Sequence, residues 1–123
     1  LQIDHVSGAY NQDGDLIAYC VLVTNRPGER NLAVDFGVAP EESITFDIVG
    51  VDPQWRGYGL QQRFIDWSLE VANASGAKYI HATVNPDNNH SGQNFLKRGF
   101  AVKKTGTKYD GLTRNLLEFK VKS

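Results

Sequence analysis

The sequence predicts a single mixed α/β domain, and three observations carry that prediction. The chain has 123 residues, a length that suits one compact domain. Its composition is that of an ordinary globular protein, with 41% hydrophobic and 22% charged residues. Strand-like and helix-like spacings of apolar residues alternate along the chain without an internal repeat or linker. We therefore expect one domain spanning residues 1–123.

Composition and charge exclude several classes of protein. The 13 basic and 14 acidic residues give a formal net charge of −1, whereas a general nucleic-acid binder needs a basic surplus to neutralise phosphates. No apolar run approaches the about 18 residues of a membrane helix, and no signal-peptide pattern is present. We expect a cytoplasmic protein without membrane or nucleic-acid partners. The three histidines lack metal-ligand spacing, which predicts no metal site, and Cys20 in its apolar strand should pack in the core.

Strand signals open the chain. The segments 5–10 and 15–24 are strand-like, and Asp13-Gly14 between them is typical of a tight hairpin. The stretch 25–42 has no sustained period and is long for a connection, so we expect a functional loop there. Two interpretations of its acidic residues stay open, attraction of a cationic amine and ordinary surface solvation; these residues are Glu29, Asp35, Glu41 and Glu42.

A central strand is expected over residues 43–51, because apolar residues alternate there with other residues. Simple alternation places Ile44, Phe46 and Ile48 on one face and Thr45, Asp47 and Val49 on the other. Gly50 indicates a bulge or the close approach of a ligand to the backbone.

Helical spacing begins near Gly57 and continues to about Ser75, where Gly76 is the expected stop. The apolar stripe of this helix consists of Leu60, Phe64, Trp67 and Val71, widened by Ile65, Leu69 and Ala72. Further strands are expected over 77–84, 100–104 and 113–121, with a short helix over 91–98.

The most informative segment joins the central strand to the long helix and reads Val51-Asp52-Pro53-Gln54-Trp55-Arg56-Gly57-Tyr58-Gly59-Leu60. Free N–H groups and the positive end of the helix dipole make such a helix start suitable for a phosphate or pyrophosphate. Gly57 and Gly59 allow close approach to the backbone, and Arg56 adds a positive charge. A dinucleotide fingerprint would need glycine at Gln62, and a P-loop would need Gly-Lys-Ser/Thr. The alternative is that the glycines only shape a turn.

Gln54-x-x-Gly57-x-Gly59 after a hydrophobic strand resembles the acyl-CoA pyrophosphate motif of the GNAT superfamily of N-acetyltransferases. The downstream segment 88–100, which runs from Asn88-Asn89 to Gly99-Phe100, is similar to the same superfamily's asparagine, short helix and Gly-Phe ending. The resemblance covers roughly Leu16 to the C-terminus. It implies a mostly antiparallel central sheet flanked by helices, in an α/β (α+β) fold, and acetyl-CoA or another acyl-CoA as co-substrate.

The resemblance also assigns roles to individual residues. It implies that Gln54 shapes a loop whose backbone N–H groups bind the pyrophosphate. These N–H groups belong to Arg56, Gly57, Tyr58, Gly59 and Leu60. It implies that the pantetheine arm pairs with the backbone of Ile48, Val49 and Val51. Asn88 and Ser91 would flank the arm where the strands before and after it splay apart. The N–H of Val49 would then polarise the thioester carbonyl.

Two departures from the superfamily pattern stand out. Phe95 occupies the position of the usual tyrosine, which protonates the departing thiolate, and the resemblance implies that Phe95 contacts the cofactor there. Water, Ser91 or another tyrosine would have to serve instead, or the thiolate, whose thiol has a pKa of roughly 8–9, would leave unaided. The superfamily usually opens with a strand and two helices, whereas this sequence starts with Leu1 almost inside the second strand, so we expect a truncated or processed polypeptide that lacks the usual N-terminal strand and helices. Those helices usually line the acceptor pocket.

A general base is needed because a protonated amine cannot attack. Asp47 is the first candidate, since simple alternation would place it on the same face as Val49, and a hydrogen-bonded structural aspartate is the alternative. His81 is a second candidate base, with packing as its alternative.

Taken together, these features predict an acyl-CoA-dependent N-acyltransferase that acts by direct transfer on a small-molecule or peptide amine, without a metal. A homodimer is compatible with this function. The alternative is a non-catalytic acyl-CoA sensor or interaction domain with a degenerate fold.

Overall fold

The centre of the molecule is a six-stranded sheet with strand order β1-β2-β3-β4-β6-β5. The computed structural model describes residues 3–24, 32–87, 89–107 and 113–121. The strands are β1 (Ile3–Tyr10), β2 (Leu16–Thr24), β3 (Ser43–Val51), β4 (Tyr79–Val84), β5 (Ala101–Thr107) and β6 (Thr113–Lys120). The helices are α1 (Ala33–Phe36), α2 (Leu60–Ser75) and α3 (Asn89–Lys97). Only the β3–β4 pairing is parallel, so the expected mixed, mostly antiparallel sheet is confirmed.

Local sequence explains where several elements begin and end. In the β1–β2 hairpin the Asn11 side-chain oxygen accepts the N–H groups of Asp13 at 2.9 Å and Asp15 at 3.0 Å. Gly76 ends α2 in the left-handed conformation, as its position predicted. The stretch 25–42 was expected to be a loop, and its described part, residues 32–42, contains α1 and a 3₁₀ turn over Pro40–Glu42. None of the described helices is long and apolar enough to span a membrane.

The main core lies between one face of the sheet and the helices α2 and α3. Its large members include Phe46, Phe64, Ile65, Phe95, Phe100 and Leu117. Cys20 is fully buried in this core, and burial raises the pKa of its thiol to about 12. The prediction that Cys20 packs in the core is confirmed.

A β-bulge interrupts the alternation expected for β3. Consecutive positions of β2 pair with Phe46 and then with Ile48, so Asp47 is the extra residue. Beyond the bulge the phase is inverted, and Val49 rather than Ile48 takes the register position on the side of Phe46. The expectation that Phe46 and Ile48 share a face is therefore wrong. A common face for Asp47 and Val49 no longer follows from alternation.

Gly50 serves a different purpose from the one expected. It pairs with Tyr19 of β2, and a Cβ at Gly50 would lie 2.6 Å from Cε1 of the Tyr19 ring. The close approach that requires glycine is thus made by a tyrosine of the neighbouring strand, and the bulge lies three residues earlier.

The parallel pairing between β3 and β4 is short. Residues 43–45 pair with residues 79–81, and beyond them the two strands separate while β3 stays paired with β2 and β4 with β6. We call the opening between residues 46–51 of β3 and residues 82–84 of β4 the fork. Its two edges carry backbone groups that have no partner strand across the opening.

Candidate functional site

A cavity of about 560 Å³ lies where β3 ends, between the N-terminal end of α2 and the first half of α3. Its walls come from three separate parts of the sequence. They comprise Val51, Trp55, Arg56, Gly57, Gly59, Leu60, Gln61, Gln62, Ser91 and Asn94.

The loop between β3 and α2 has the backbone conformation that its glycines predicted. A 3₁₀ turn over Pro53–Trp55 follows β3, and the Asp52 carboxylate accepts the N–H of Gln54 at 3.0 Å. Gly57 and Gly59 then adopt φ values of 89° and 78°, which favour glycine. A Cβ at Gly57 would meet no atom within 4 Å, so the space beside this backbone is open.

The start of α2 has free N–H donors beside the cavity. Gly59 occupies the N-cap position and provides no side-chain cap. Among the described residues, no protein acceptor takes the N–H groups of Gly57, Tyr58 or Gly59. The N–H of Arg56 was also expected to bind the pyrophosphate, but it already donates to the carbonyl oxygen of Pro53 at 3.4 Å. Free N–H groups and the helix dipole make this loop a suitable anion site.

Amide side chains connect α2 to α3 across one wall of the cavity. Gln61 Nε2 donates to Ser91 Oγ at 2.7 Å, and Asn94 Nδ2 donates to Gln61 Oε1 at 3.0 Å. Gln62 Nε2 donates to Asn94 Oδ1 at 3.0 Å. Asn94 is buried and the two glutamines are half-buried, so these bonds satisfy amide groups that have little access to water.

Several site residues expected from the sequence line this cavity: Val51, Arg56, Gly57, Gly59, Leu60 and Ser91. Gln54 lies in the turn before it, and Tyr58 is 68% exposed with its ring 5.4 Å from that of Trp55. For Asp47, Ile48 and Val49 only the backbone is described, and Asn88 lies outside the described residues.

Phe95 is in the core and is not one of the cavity-lining residues. Its ring makes edge contacts with Phe46 at 5.3 Å and Phe100 at 5.0 Å between centroids, and it is 3% exposed. Through the Phe95 ring, α3 packs against the core.

Sequence reasoning missed Trp55, Gln61, Gln62 and Asn94. The signal that could have found them is the concentration of amides in two helical segments, Gln61-Gln62 and Gln93-Asn94, on helices otherwise defined by apolar stripes. Each amide carries both donors and an acceptor, so amides on neighbouring helices can satisfy one another.

Other expected candidates lie elsewhere. Glu42 forms an ion pair with Lys78 at 2.8 Å, which lowers the pKa of its carboxyl, and it precedes β3 at the end remote from the cavity. His81 is fully buried, with both ring nitrogens in hydrogen bonds. Within the described ranges, no group of three His, Cys, Asp or Glu side chains could hold a metal ion.

Comparison with known proteins agrees with this architecture. Nourseothricin acetyltransferase has a similar structure, with a TM-score of 0.75 and 21% identity over 97% of this chain and 66% of its own. A GNAT acetyltransferase from Streptococcus pneumoniae gives 0.74, with 15% identity over 98% of this chain and 67% of its own. The phosphinothricin acetyltransferase from Sinorhizobium meliloti, solved in complex with AcCoA, gives 0.73, with 16% identity over 94% and 60%.

The chain therefore spans about two thirds of the length of these structural relatives. No sequence match was found among curated proteins. The family model described as Acetyltransferase (GNAT) family matches residues 4–100, a range that runs from the second residue of β1 through α3. With most of the chain matched and the fold shared, the protein belongs to the GNAT acetyltransferase family.

Proposed function

We propose that this chain is a single acyl-CoA-binding domain that transfers an acetyl group from acetyl-CoA, or a related acyl group, to an amine. The observation that carries the proposal is the set of free N–H groups at Gly57, Tyr58 and Gly59 beside the cavity at the start of α2. The related phosphinothricin acetyltransferase, solved with AcCoA, supports the choice of cofactor.

The cofactor would use both the loop and the fork. The pyrophosphate would accept hydrogen bonds from the N–H groups of residues 57–60 and neutralise the Arg56 charge. The pantetheine arm would pair with the β3 edge at 48–51, which lacks a partner on the β4 side. Ser91 would contact the arm from α3, where it lines the cavity.

The chemistry is direct transfer between the two bound substrates. A neutral amine nitrogen attacks the thioester carbonyl carbon, and the N–H of Val49 stabilises the oxyanion that forms. Collapse of this intermediate breaks the C–S bond, releases CoA as the thiolate and leaves an amide. Before the attack Asp47 would take a proton from the bound ammonium to make the amine neutral, and the second proton that the nitrogen loses would pass through water to the departing thiolate.

Proton delivery to the sulfur cannot come from Phe95, which has no ionisable group and lies in the core. A thiolate whose thiol has a pKa of roughly 8–9 is a tolerable leaving group, so water can protonate it after departure. The buried Phe95 also favours a second candidate function, a non-catalytic acyl-CoA-binding domain.

Release of free thiol from acetyl-CoA distinguishes the two functions. The protein is incubated with acetyl-CoA and a panel of polyamines, amino acids, aminoglycosides and lysine peptides, with each acceptor also tested without protein. We expect protein-dependent thiol release with at least one class of amine. Binding of CoA without release for any acceptor would support the non-catalytic alternative.

A further inference from the structure

His81 joins three strands and a helix through its ring. Its Nδ1 lies 2.6 Å from Ser43 Oγ on β3, and its Nε2 lies 2.9 Å from Glu118 Oε2 on β6. The Phe36 ring of α1 stacks on the imidazole, with centroids 3.9 Å apart and planes 9° apart. His81 and Ser43 are 0% and 1% exposed, so the hydrogen bond between them is made out of water, whereas Glu118 is half-buried.

The cluster around His81 lies at the base of the fork. Thr45 and His81 form the last parallel pair between β3 and β4, and the fork opens directly beyond them. Thr45 Oγ1 also accepts the N–H of Leu32 at 3.0 Å, which attaches the segment before α1 to the same point. Beyond this pair β3 is paired only with β2 and β4 only with β6, so the position of the two edges relative to each other depends on how firmly the last pair is held.

A direct role for His81 in proton transfer does not fit this geometry. Both ring nitrogens already have protein partners, and the ring has no exposed surface through which an acceptor could approach. Neutral His81 can accept a hydrogen bond from the Ser43 hydroxyl at Nδ1 and donate one from Nε2 to Glu118. Protonated His81 can donate hydrogen bonds to both Ser43 and Glu118. Either state satisfies the three groups.

We propose that Ser43, His81 and Glu118 form a clamp that fixes the base of the fork, and that His81 is thereby a positioning residue for acyl-CoA. The acyl-CoA part of this inference rests on the proposed function. A hydrogen bond lost from the clamp leaves a buried polar group without its partner. The last β3–β4 pair then opens more easily, and the free β3 edge loses the direction in which the pantetheine arm would pair with it.

Three variants separate the clamp from general stability. His81→Phe removes both hydrogen bonds and keeps a flat ring to stack on Phe36. Ser43→Ala removes one of them. Ser68→Ala is the matched control, because Ser68 is also fully buried and also makes a 2.6 Å hydrogen bond, to the carbonyl oxygen of Ile65 within α2.

Two measurements are made on each folded variant, namely hydrogen exchange of the backbone amides without ligand and the Kd of CoA. In His81→Phe and Ser43→Ala, amide exchange should accelerate most at residues 44–48 and 80–83. Amides in the rest of the sheet should accelerate less. The Kd of CoA should rise by roughly fivefold to tenfold, the scale of about one hydrogen bond. Ser68→Ala should show neither the local acceleration nor the weaker binding.

The possible failures are distinguishable. Uniform acceleration across the sheet, equal in Ser43→Ala and Ser68→Ala, would show that the clamp acts only on overall stability and would overturn the inference. Local acceleration with an unchanged Kd would remove the link to acyl-CoA. If the original protein itself fails to bind CoA, the proposed function falls, and the exchange data still decide whether the clamp holds the fork.

Discussion

Asp47 is the residue on which the proposed chemistry most depends, and its position in the bulge of β3 sets it apart from every other strand carboxylate. Asp47→Asn keeps the shape and removes the basicity. We expect kcat to fall on the order of 10²-fold with CoA binding nearly unchanged, the usual scale for loss of a general base. The defect should shrink at high pH, where more of the amine is already neutral.

A matched control for this prediction is Asp13→Asn, which changes an exposed hairpin aspartate. Steady-state rates of both variants across pH provide the measurement. Turnover of Asp47→Asn that equals that of Asp13→Asn at every pH would assign Asp47 to structure.

Cys20 provides a prediction about pH and stability. Its thiol has an ordinary pKa of 9.0, which burial raises to about 12. Between these values the unfolded chain has lost the thiol proton while the folded chain keeps it, so the unfolded state binds fewer protons. The free energy of unfolding should therefore fall as pH rises from about 9 towards 12. The free energy of unfolding, measured by urea titration at each pH, should fall less steeply at alkaline pH in Cys20→Ala. An equally steep fall in both proteins would contradict this prediction.

The contact between α2 and α3 is the feature at the scale of elements that a mutation can test most cleanly. Asn94→Ala removes the partner of both Gln61 and Gln62. We expect the free energy of unfolding to fall by about 1–3 kcal/mol, because partly buried amides lose their hydrogen bonds. Gln93→Ala, on the exposed side of the same helix, should change it little. Equal losses in both variants would mean that the amide bonds do not hold the helices together.

Elements that depend on local sequence were predictable, and those that depend on neighbours were not. The hairpin at Asp13-Gly14, the start and end of β3 and the Gly76 stop follow from residues within a few positions. The bulge at Asp47 does not, because an apolar pattern with period two continues through it and only pairing with β2 reveals the extra residue. The sequence indicated a bulge or a ligand at Gly50, but the close contact there is made by Tyr19, which is distant in sequence.

At the scale of the whole molecule, the candidate site draws on parts of the chain that the sheet brings together. The glycine loop could be predicted from its own residues, because a strand, glycines with positive φ and a helix start suffice to define it. The fork was implied by the resemblance but does not follow from the residues around it, because it results from the short β3–β4 pairing. Phe95 could be recognised as a departure, but its place in the core required the packing around it.

The Gly57 loop allows the central claim to be tested by binding alone. A ligand that binds only the folded state at one hundred times its Kd adds about 2.7 kcal/mol of stability. For a domain of this size that corresponds to a rise in Tm on the order of 10 °C. Gly57→Asp should abolish the shift because it places a negative charge beside the pyrophosphate. Gly76→Asn is the matched control, since Gly76 also has a positive φ and open space around it, at the far end of α2.

The most direct measurement is therefore the Tm of the protein with and without millimolar CoA, made in parallel on the original chain, Gly57→Asp and Gly76→Asn. Comparing the ligand-induced shift within each variant removes the effect of the substitution on Tm itself. We predict a large shift for the original chain and for Gly76→Asn and none for Gly57→Asp. No shift in the original chain would contradict acyl-CoA binding, and an equal shift in all three proteins would contradict the location of the site.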